Sequence, residues 1–180
     1  PPFEGHQDER VTTIRTLTDI AKAAEFLKDG KQAVVIGGGV VGLEAAWELK
    51  KYQCDVTILE AMPSLMSNKL DSSASHMLQE IFEANGIRIL AGASTKKFED
   101  RKIYLEDGTV IPADLVVVSC GVRANSAIAA DAGVEIGRAI LVNDRMETNI
   151  PDLYAAGDCV EFEGMNYALW PEATDQGETA

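Results

Sequence analysis

Short apolar runs alternate with helix-like patterns through the first half of the chain. The runs at Ala33–Ile36, Asp55–Leu59 and Ile87–Leu90 are rich in β-branched residues, and between them apolar residues recur at helical spacing. This alternation predicts three parallel strands, joined by helices over Val41–Tyr52 and Ser73–Asn85. We therefore expect an α/β fold that contains a Rossmann-like βαβ sheet.

Two further patterns follow this unit. The apolar segment Leu115–Gly121 predicts a central strand that is buried on both faces. Three short runs before it predict a small antiparallel β-meander with a tight turn at Asp107-Gly108. The predicted strands of the meander are Lys96–Asp100, Lys102–Leu105 and Val110–Ile111.

The two ends of the chain are predicted from capping residues and shorter runs. Residues 11–27 predict a helix in which Thr18 or Asp19 is the N-cap, after a polar, proline-led connector. Beyond Ala124 we predict a short helix, two strands and the beginning of an amphipathic helix within residues 165–180. The short helix is Ser126–Ala132, and the strands are Ile140–Val142 and Leu153–Ala156.

A glycine motif lies between the first strand and the first helix of the βαβ unit. Gly37, Gly39 and Gly42 have the spacing GxGxxG, and an acid, Glu60, ends the next strand eighteen positions later. The first glycine allows a tight turn, the second lets the backbone approach a pyrophosphate, and the third allows close helix–strand packing. The helix N-terminus attracts the phosphates, and the acid accepts hydrogen bonds from a ribose. The arrangement predicts a dinucleotide site; the alternative is a structural turn that binds nothing.

Composition and charge exclude some partners. The chain has 180 residues, of which 46% are hydrophobic and 25% charged, and its formal net charge is −13. This charge disfavours nucleic acid and anionic membranes. Three widely spaced cysteines, Cys54, Cys120 and Cys159, form no CxxC pair and no metal-ligand grouping, so we expect buried structural thiols and no metal site. Together with the lack of a membrane-spanning or signal-peptide pattern, they indicate a cytoplasmic location.

Four segments together resemble one protein family. In order and spacing, GGGVVGLE, the acid Glu60, SCGVRAN and TNIPDLYAAGDC resemble the pyridine nucleotide-disulfide oxidoreductases, which are two-dinucleotide flavoproteins. The ending ALWPEATDQG resembles the branch that holds FAD-dependent NADH oxidases, rubredoxin reductases and the flavin part of nitrite reductases. The resemblance implies an NADH-binding domain over residues 13–145, preceded by a connector over 1–12 and followed over 146–180 by an incomplete return segment of the FAD domain. It thus implies a fragment that is inactive alone.

The resemblance also implies roles for particular residues. Glu60 would bind the adenosine ribose of NADH, and the backbone at Gly121 would approach the nucleotide. Glu44 matches a family acid near the nicotinamide and the flavin, although a charge that favours the helix N-terminus is the alternative. Gly157 and Asp158 would bind FAD in the intact protein. The segment that would hold the NADH pyrophosphate consists of Gly37, Gly38, Gly39, Val40, Val41 and Gly42.

The implied activity is hydride transfer from NADH to flavin N5, with an electron acceptor that the sequence does not define. Ala61 and Met62 stand where NADPH-preferring relatives usually have arginines, so we expect NADH over NADPH; Lys69 is the one nearby cation that could soften this preference.

Two alternatives remain open. One is a non-catalytic NAD-binding module that senses redox state, and the other is FAD bound at Gly37–Gly42. The implied partners are the flavin domain of the same chain and the undefined acceptor. An incomplete 146–180 segment would also be weakly held or would pair with a neighbouring molecule, giving a homodimer.

Overall fold

The computed structural model describes residues 3–28 and 30–180, so Pro1 and Pro2 of the predicted connector lie outside the described residues. The chain forms two compact units, the first ending at Gly121 and the second running from Val122 to Ala180. The predicted functional boundaries at residues 12 and 145 are a separate matter and stay predictions.

The first unit is a five-stranded parallel sheet with helices and a β-meander. The strand order is β1-β8-β2-β3-β4, and the antiparallel meander has the order β5-β6-β7. This confirms the predicted α/β fold. In chain order the elements are β1 (Val11–Thr12), α1 (Leu17–Phe26), β2 (Gln32–Ile36), α2 (Val40–Lys51), β3 (Asp55–Glu60), α3 (Ser72–Ala84), β4 (Arg88–Ala91), β5 (Thr95–Glu99), β6 (Lys102–Leu105), β7 (Val110–Pro112) and β8 (Leu115–Val118).

Alternation along β2 divides the core into two apolar clusters. Ala33 and Val35 contribute to one cluster, which the helices cover with residues such as Leu49 and Phe82. Val34 and Ile36 contribute to the other cluster, which contains side chains of the meander. Because side chains alternate between the faces of a strand, the sheet is buried on both sides. The meander side chains in the second cluster are Phe98, Ile103, Leu105 and Ile111.

The beginning of the first unit differs from the prediction. Residues 11–27 are not one helix, because Val11–Thr12 pairs with β8 as a strand before α1 begins. The N-cap of α1 is Thr16, so the prediction of Thr18 or Asp19 is wrong. Thr16 Oγ1 accepts a hydrogen bond from Asp19 N–H at 3.2 Å, and Asp19 Oδ2 accepts one from Thr16 N–H at 2.9 Å. Asp19 therefore closes a capping box three residues inside the helix instead of starting it.

The second unit contains two helices and a pair of parallel strands. Its elements are α4 (Ala127–Asp131), β9 (Ile140–Leu141), β10 (Val160–Glu161) and α5 (Trp170–Thr179). The short helix, the strand at residue 140 and the C-terminal helix confirm the predictions.

The predicted strand Leu153–Ala156 is wrong, because Tyr154 forms only an isolated bridge, with Glu147. Leu153 and Tyr154 are exposed, so this apolar run has neither the paired partner nor the buried face that a strand needs.

Within the described ranges, no helix combines the length and the apolar character needed to cross a membrane.

Asp114 is a buried carboxylate that links the sheet to the meander. Its Oδ2 accepts a hydrogen bond from Gln32 N–H at 3.0 Å, and its Oδ1 binds the guanidinium of Arg101, in the β5–β6 turn. Desolvation, the largest influence, raises the pKa of Asp114. The bonds from Gln32 and Arg101 outweigh it, so the pKa lies below its ordinary value.

The variant Asp114→Asn should lower the free energy of unfolding at pH 7 by about 1–3 kcal/mol, because two donors lose a charged acceptor. A lowered folded-state pKa means that the ionised group stabilises the fold above the ordinary carboxyl pKa. This contribution is lost as the pH falls through the folded-state value. The difference between the unaltered chain and the variant should therefore shrink below about pH 4. Urea unfolding at pH 7 and at steps below pH 4 measures it.

The matched control is Asp100→Asn, which removes the same charge from an exposed position in the β5–β6 turn. Its effect should stay within about 0.5 kcal/mol at every pH. An Asp114→Asn chain as stable at pH 7 as the unaltered chain would contradict the linking role of Asp114.

Candidate functional site

The carboxyl ends of three neighbouring strands define one edge of the parallel sheet. Gly37 follows β2, Glu60 ends β3, and Ser119 continues from β8. Because these strands are parallel neighbours, the residues that follow them meet at the same edge. Ligands of open α/β sheets bind at this edge.

Two glycines of the motif are required by the fold itself. Gly37 has a φ of +114°, and a Cβ there would overlap the carbonyl of Ser119. A Cβ at Gly42 would overlap the carbonyl oxygen of Gly37. These contacts bring α2 against the ends of β2 and β8, as the motif predicts.

Gly39 differs from those two glycines. Its φ of −83° and ψ of 179° suit any residue, and a Cβ built on it would have no atom within 4 Å. It is the N-cap of α2 and makes no side-chain capping bond. By contrast, Thr16 caps α1 and Asp71 caps α3 with side-chain oxygens. The first-turn amides of α2 therefore lack the side-chain acceptor that these two helices have, and they form a partial positive charge suited to an anion.

Both carboxylate oxygens of Glu60 accept hydrogen bonds from backbone amides, and one of these amides belongs to the glycine turn. Oε2 accepts a hydrogen bond from Gly38 N–H at 2.6 Å, and Oε1 accepts one from Met62 N–H at 2.7 Å. An ionised carboxylate has about four acceptor positions, so each oxygen retains capacity for a ligand donor.

A cavity of about 550 Å³ opens at this edge of the sheet. Its size lies within the range of about 300–1,000 Å³ found for small-molecule sites. Gly37, Gly39 and Glu60 are among the residues that line it. The remaining lining residues are Phe3, Ile36, Val40, Leu59, Ala61, Met62, Met66, Ser67, Asn68, Lys69, Ala93, Ser94, Thr95, Ser119, Cys120 and Gly121.

The cavity gathers only part of the predicted site. Gly38, Val41 and Gly42 belong to the same turn and helix start but are not among its lining residues. Glu44 is exposed on α2, also outside the lining, so its catalytic role stays a prediction. The predicted site residues that line the cavity are Gly37, Gly39, Val40, Glu60 and Gly121.

Gly157 and Asp158, the predicted FAD contacts, lie in the second unit, in the turn before β10. Gly157 has a φ of +86°, and its N–H donates a hydrogen bond to Gln176 Oε1 at 2.8 Å. Asp158 is exposed. Of these two groups, the Asp158 carboxylate is therefore the one open to a ligand.

Three further residues of the cavity lining are not predicted by the sequence patterns. Phe3, Ser94 and Thr95 line the cavity, although no local motif marks them. Thr95 Oγ1 is buried and has no hydrogen-bond partner among the described residues. A buried hydroxyl without a partner is unusual, and only the tertiary structure reveals it.

The expectation of three buried thiols is only partly right. Cys54 is buried, Cys159 is half-buried and Cys120 is exposed. Cys120 follows β8 where the chain leaves the sheet, so it lines the cavity instead of packing in the core. Desolvation, the largest influence, raises the pKa of the Cys120 thiol above its ordinary value and so favours the neutral thiol.

Comparisons with known proteins identify the family of this chain. Residues 1–177 match the family model described as pyridine nucleotide-disulphide oxidoreductase. The chain is 39% identical over 172 residues to the NAD(P)H nitrite reductase of Bacillus subtilis strain 168, a match that covers 93% of this chain and 21% of that protein. It is 34% identical over 168 residues to the NADH oxidase of Methanocaldococcus jannaschii, covering 89% of this chain and 37% of that protein.

Among solved structures, the NAD-dependent persulfide reductase from A. fulgidus is similar, with a TM-score of 0.92 and 32% identity over 99% of this chain and 36% of that chain. The chain thus spans well under half the length of each of these three relatives. The family match extends over nearly every residue and coincides with the glycine turn and its acid. This chain belongs to the pyridine nucleotide-disulphide oxidoreductase family.

Proposed function

We propose that this chain binds NADH at the Gly37–Gly42 turn, as part of an FAD-dependent oxidoreductase that passes a hydride from NADH to flavin. The observation that carries the proposal is that the first turn of α2, which has no side-chain cap, and the Glu60 carboxylate lie together at one cavity. Membership of the family supports the redox class. The names of all three relatives above contain a nicotinamide nucleotide, which supports NADH as the substrate.

The helix N-terminus is suited to the pyrophosphate. The amides at the start of α2 and the helix dipole both favour negative charge. Because Gly39 has no side chain, a phosphate can approach the backbone amides at the start of α2 directly. The fold does not need a glycine at this position, so the close approach of a ligand is the best physical reason for it.

The part of the cavity next to the Glu60 carboxylate is suited to a ribose with free hydroxyls. The remaining lone pairs of Glu60 accept hydrogen bonds from the 2′- and 3′-hydroxyls, whereas a 2′-phosphate would be repelled. Ala61 and Met62 offer no positive charge to offset that repulsion. Lys69 lines the same cavity and is the cation that would reduce it.

The flavin contribution rests on the family and on fewer residues of this chain. When bound, flavin supplies an N5 position that accepts a hydride and passes electrons onward. Asp158 is the exposed group that would hold it, and residues 146–180 would be a return segment of the flavin domain. The names of the three relatives give different reactions, so we leave the electron acceptor undefined.

The glycine that the fold does not require gives a direct test. Gly39→Ala should raise the Kd for NADH at least about tenfold, because the methyl group enters the space that the pyrophosphate needs. The free energy of unfolding should change by no more than about 1 kcal/mol, since the backbone there suits alanine. Calorimetric titration with NADH and urea unfolding of the same samples measure the two quantities.

The control is a glycine substitution that should change stability but not NADH binding. Gly108 has a φ of +88° in the β6–β7 turn and is not among the cavity-lining residues. Gly108→Ala should therefore lower the free energy of unfolding by about 1–2 kcal/mol and leave the Kd for NADH unchanged. If Gly39→Ala also left that Kd unchanged, the pyrophosphate could not lie at this turn.

A comparison of the Kd values for NADH and NADPH tests the proposed role of Glu60. The Kd for NADH should be at least about tenfold lower than that for NADPH, because Glu60 carries the same sign of charge as a 2′-phosphate. Lys69→Met should leave the Kd for NADH unchanged and weaken NADPH binding about two- to fivefold, the range expected for one exposed ion pair. Equal Kd values for the two nucleotides would contradict the proposed role of Glu60.

A parallel titration with FAD separates the leading proposal from its main rival. Binding of FAD without any response to NADH would make the Gly37–Gly42 turn a flavin site and overturn the proposal. A non-catalytic NAD-binding module would bind NADH in the same way. It would be distinguished by the absence of hydride transfer to flavin in the longer protein that contains this region.

A further inference from the structure

Both backbone polar groups of Gly38 form hydrogen bonds, although Gly38 is not a glycine of the GxGxxG fingerprint. Its N–H donates a hydrogen bond to Glu60 Oε2 at 2.6 Å, and its carbonyl accepts one from Met66 N–H at 3.1 Å. The neighbouring Gly37 N–H donates a hydrogen bond to Leu59 O at 2.7 Å. The turn is therefore tied to the end of β3 and to the segment after it, in addition to its covalent connections to β2 and α2.

Glu60 joins two backbone segments through one side chain. While Oε2 binds Gly38, Oε1 accepts a hydrogen bond from Met62 N–H at 2.7 Å. Both are short, charge-assisted bonds, and the residue is half-buried, which limits competition from water. A carboxylate that served only to bind a ribose would not need to be placed between two amides of its own chain.

The segment after β3 is held in place by packing and by a hydrogen bond from α3. Leu65 is fully buried, and a Cβ at Gly38 would lie 2.6 Å from Leu65 Cδ2 and 3.1 Å from Glu60 Oε2. Ser75 Oγ, on α3, donates a hydrogen bond to the Leu65 carbonyl at 2.7 Å. The segment after β3 is thus anchored to α3, so Glu60 connects the glycine turn to a fixed support.

We propose that Glu60 is a positioning residue for the phosphate-binding turn, in addition to its proposed contact with the ribose. By holding Gly38 N–H, its carboxylate sets where Gly39 and the first-turn amides of α2 point. This inference rests on the proposed function, because it concerns how the same site binds a nucleotide. It implies that loss of Glu60 weakens the binding of phosphates even when no ribose hydroxyl is present.

A ligand without ribose hydroxyls separates the two roles. 2′,3′-Dideoxyadenosine 5′-diphosphate keeps the adenine and the pyrophosphate but offers Glu60 nothing to bind. If Glu60 positions the turn, Glu60→Ala should raise the Kd of this probe at least about fivefold. Glu60→Gln should cause a smaller loss, because its amide oxygen still accepts a bond from one of the two backbone N–H groups.

The opposite result has an equally clear physical basis. If Glu60 acts only through the ribose, removing its negative charge would leave the Kd of the dideoxy probe unchanged or lower it, since repulsion of the pyrophosphate is removed. That outcome would overturn the inference. Glu48→Ala, which removes an exposed carboxylate from α2, is the matched control. It should change neither the Kd of the dideoxy probe nor that of NADH.

Hydrogen exchange gives a readout that needs no ligand. The amides of Gly38 and Met62 should exchange faster in Glu60→Ala than in the unaltered chain, while the amides of β2 keep their protection. Unchanged exchange at both amides would overturn the positioning role. If the unaltered chain bound neither NADH nor the dideoxy probe, the proposed function would fail, and the exchange rates would still test the positioning role.

Discussion

The edge of the sheet that carries the site depends on three backbone segments meeting where no side chain fits. A Cβ at Gly42 would overlap the carbonyl of Gly37, and a Cβ at Gly37 would overlap the carbonyl of Ser119. This contact places the N-terminus of α2 directly at the end of β2 and beside the end of β8. Since β3 runs parallel to β2 in the neighbouring position, Glu60 arrives at the same edge. The start of α2 and the Glu60 carboxylate therefore meet at the end of the sheet where the cavity lies.

The glycines of the motif therefore differ in their physical reasons. Gly37 and Gly42 are fixed by the internal geometry of the fold, and a structural turn that binds nothing would need them as well. Gly39 has an ordinary backbone conformation and open space beside it, so packing gives no reason for it. Gly39 and the missing side-chain cap of α2 therefore indicate a ligand more strongly than the motif alone does.

Local patterns predicted the parts of the fold that local physics determines. Glycine spacing, a β-branched run and a terminal acid identified the βαβ unit and most of the glycine-turn side of the site. Elements that depend on distant partners were missed or wrong: the two-residue strand β1 exists through pairing with β8, and Leu153–Ala156 found no partner beyond one bridge at Tyr154. The cavity wall at Phe3 and Thr95 is built by tertiary packing, which one sequence does not specify. The N-cap of α1 is Thr16 and not the predicted Thr18 or Asp19. Asp19 instead accepts a hydrogen bond from the Thr16 amide, and this reciprocal pair of bonds is not evident from either residue alone.

The two bonds that Glu60 makes to its own backbone connect cofactor preference to the shape of the site. In the proposed function, the acid at the end of β3 would disfavour a 2′-phosphate through its charge, and that same charge strengthens its bonds to Gly38 and Met62 N–H. Replacing it with a small neutral residue would remove this repulsion and would also release the turn that is proposed to bind the pyrophosphate. Under the proposed binding mode, a change of preference toward NADPH would need a neutral acceptor of similar length or a new cation near Ala61, since simple truncation would weaken binding of both nucleotides. The physical link between charge selection and turn geometry makes the acid more constrained than a ribose contact alone would require.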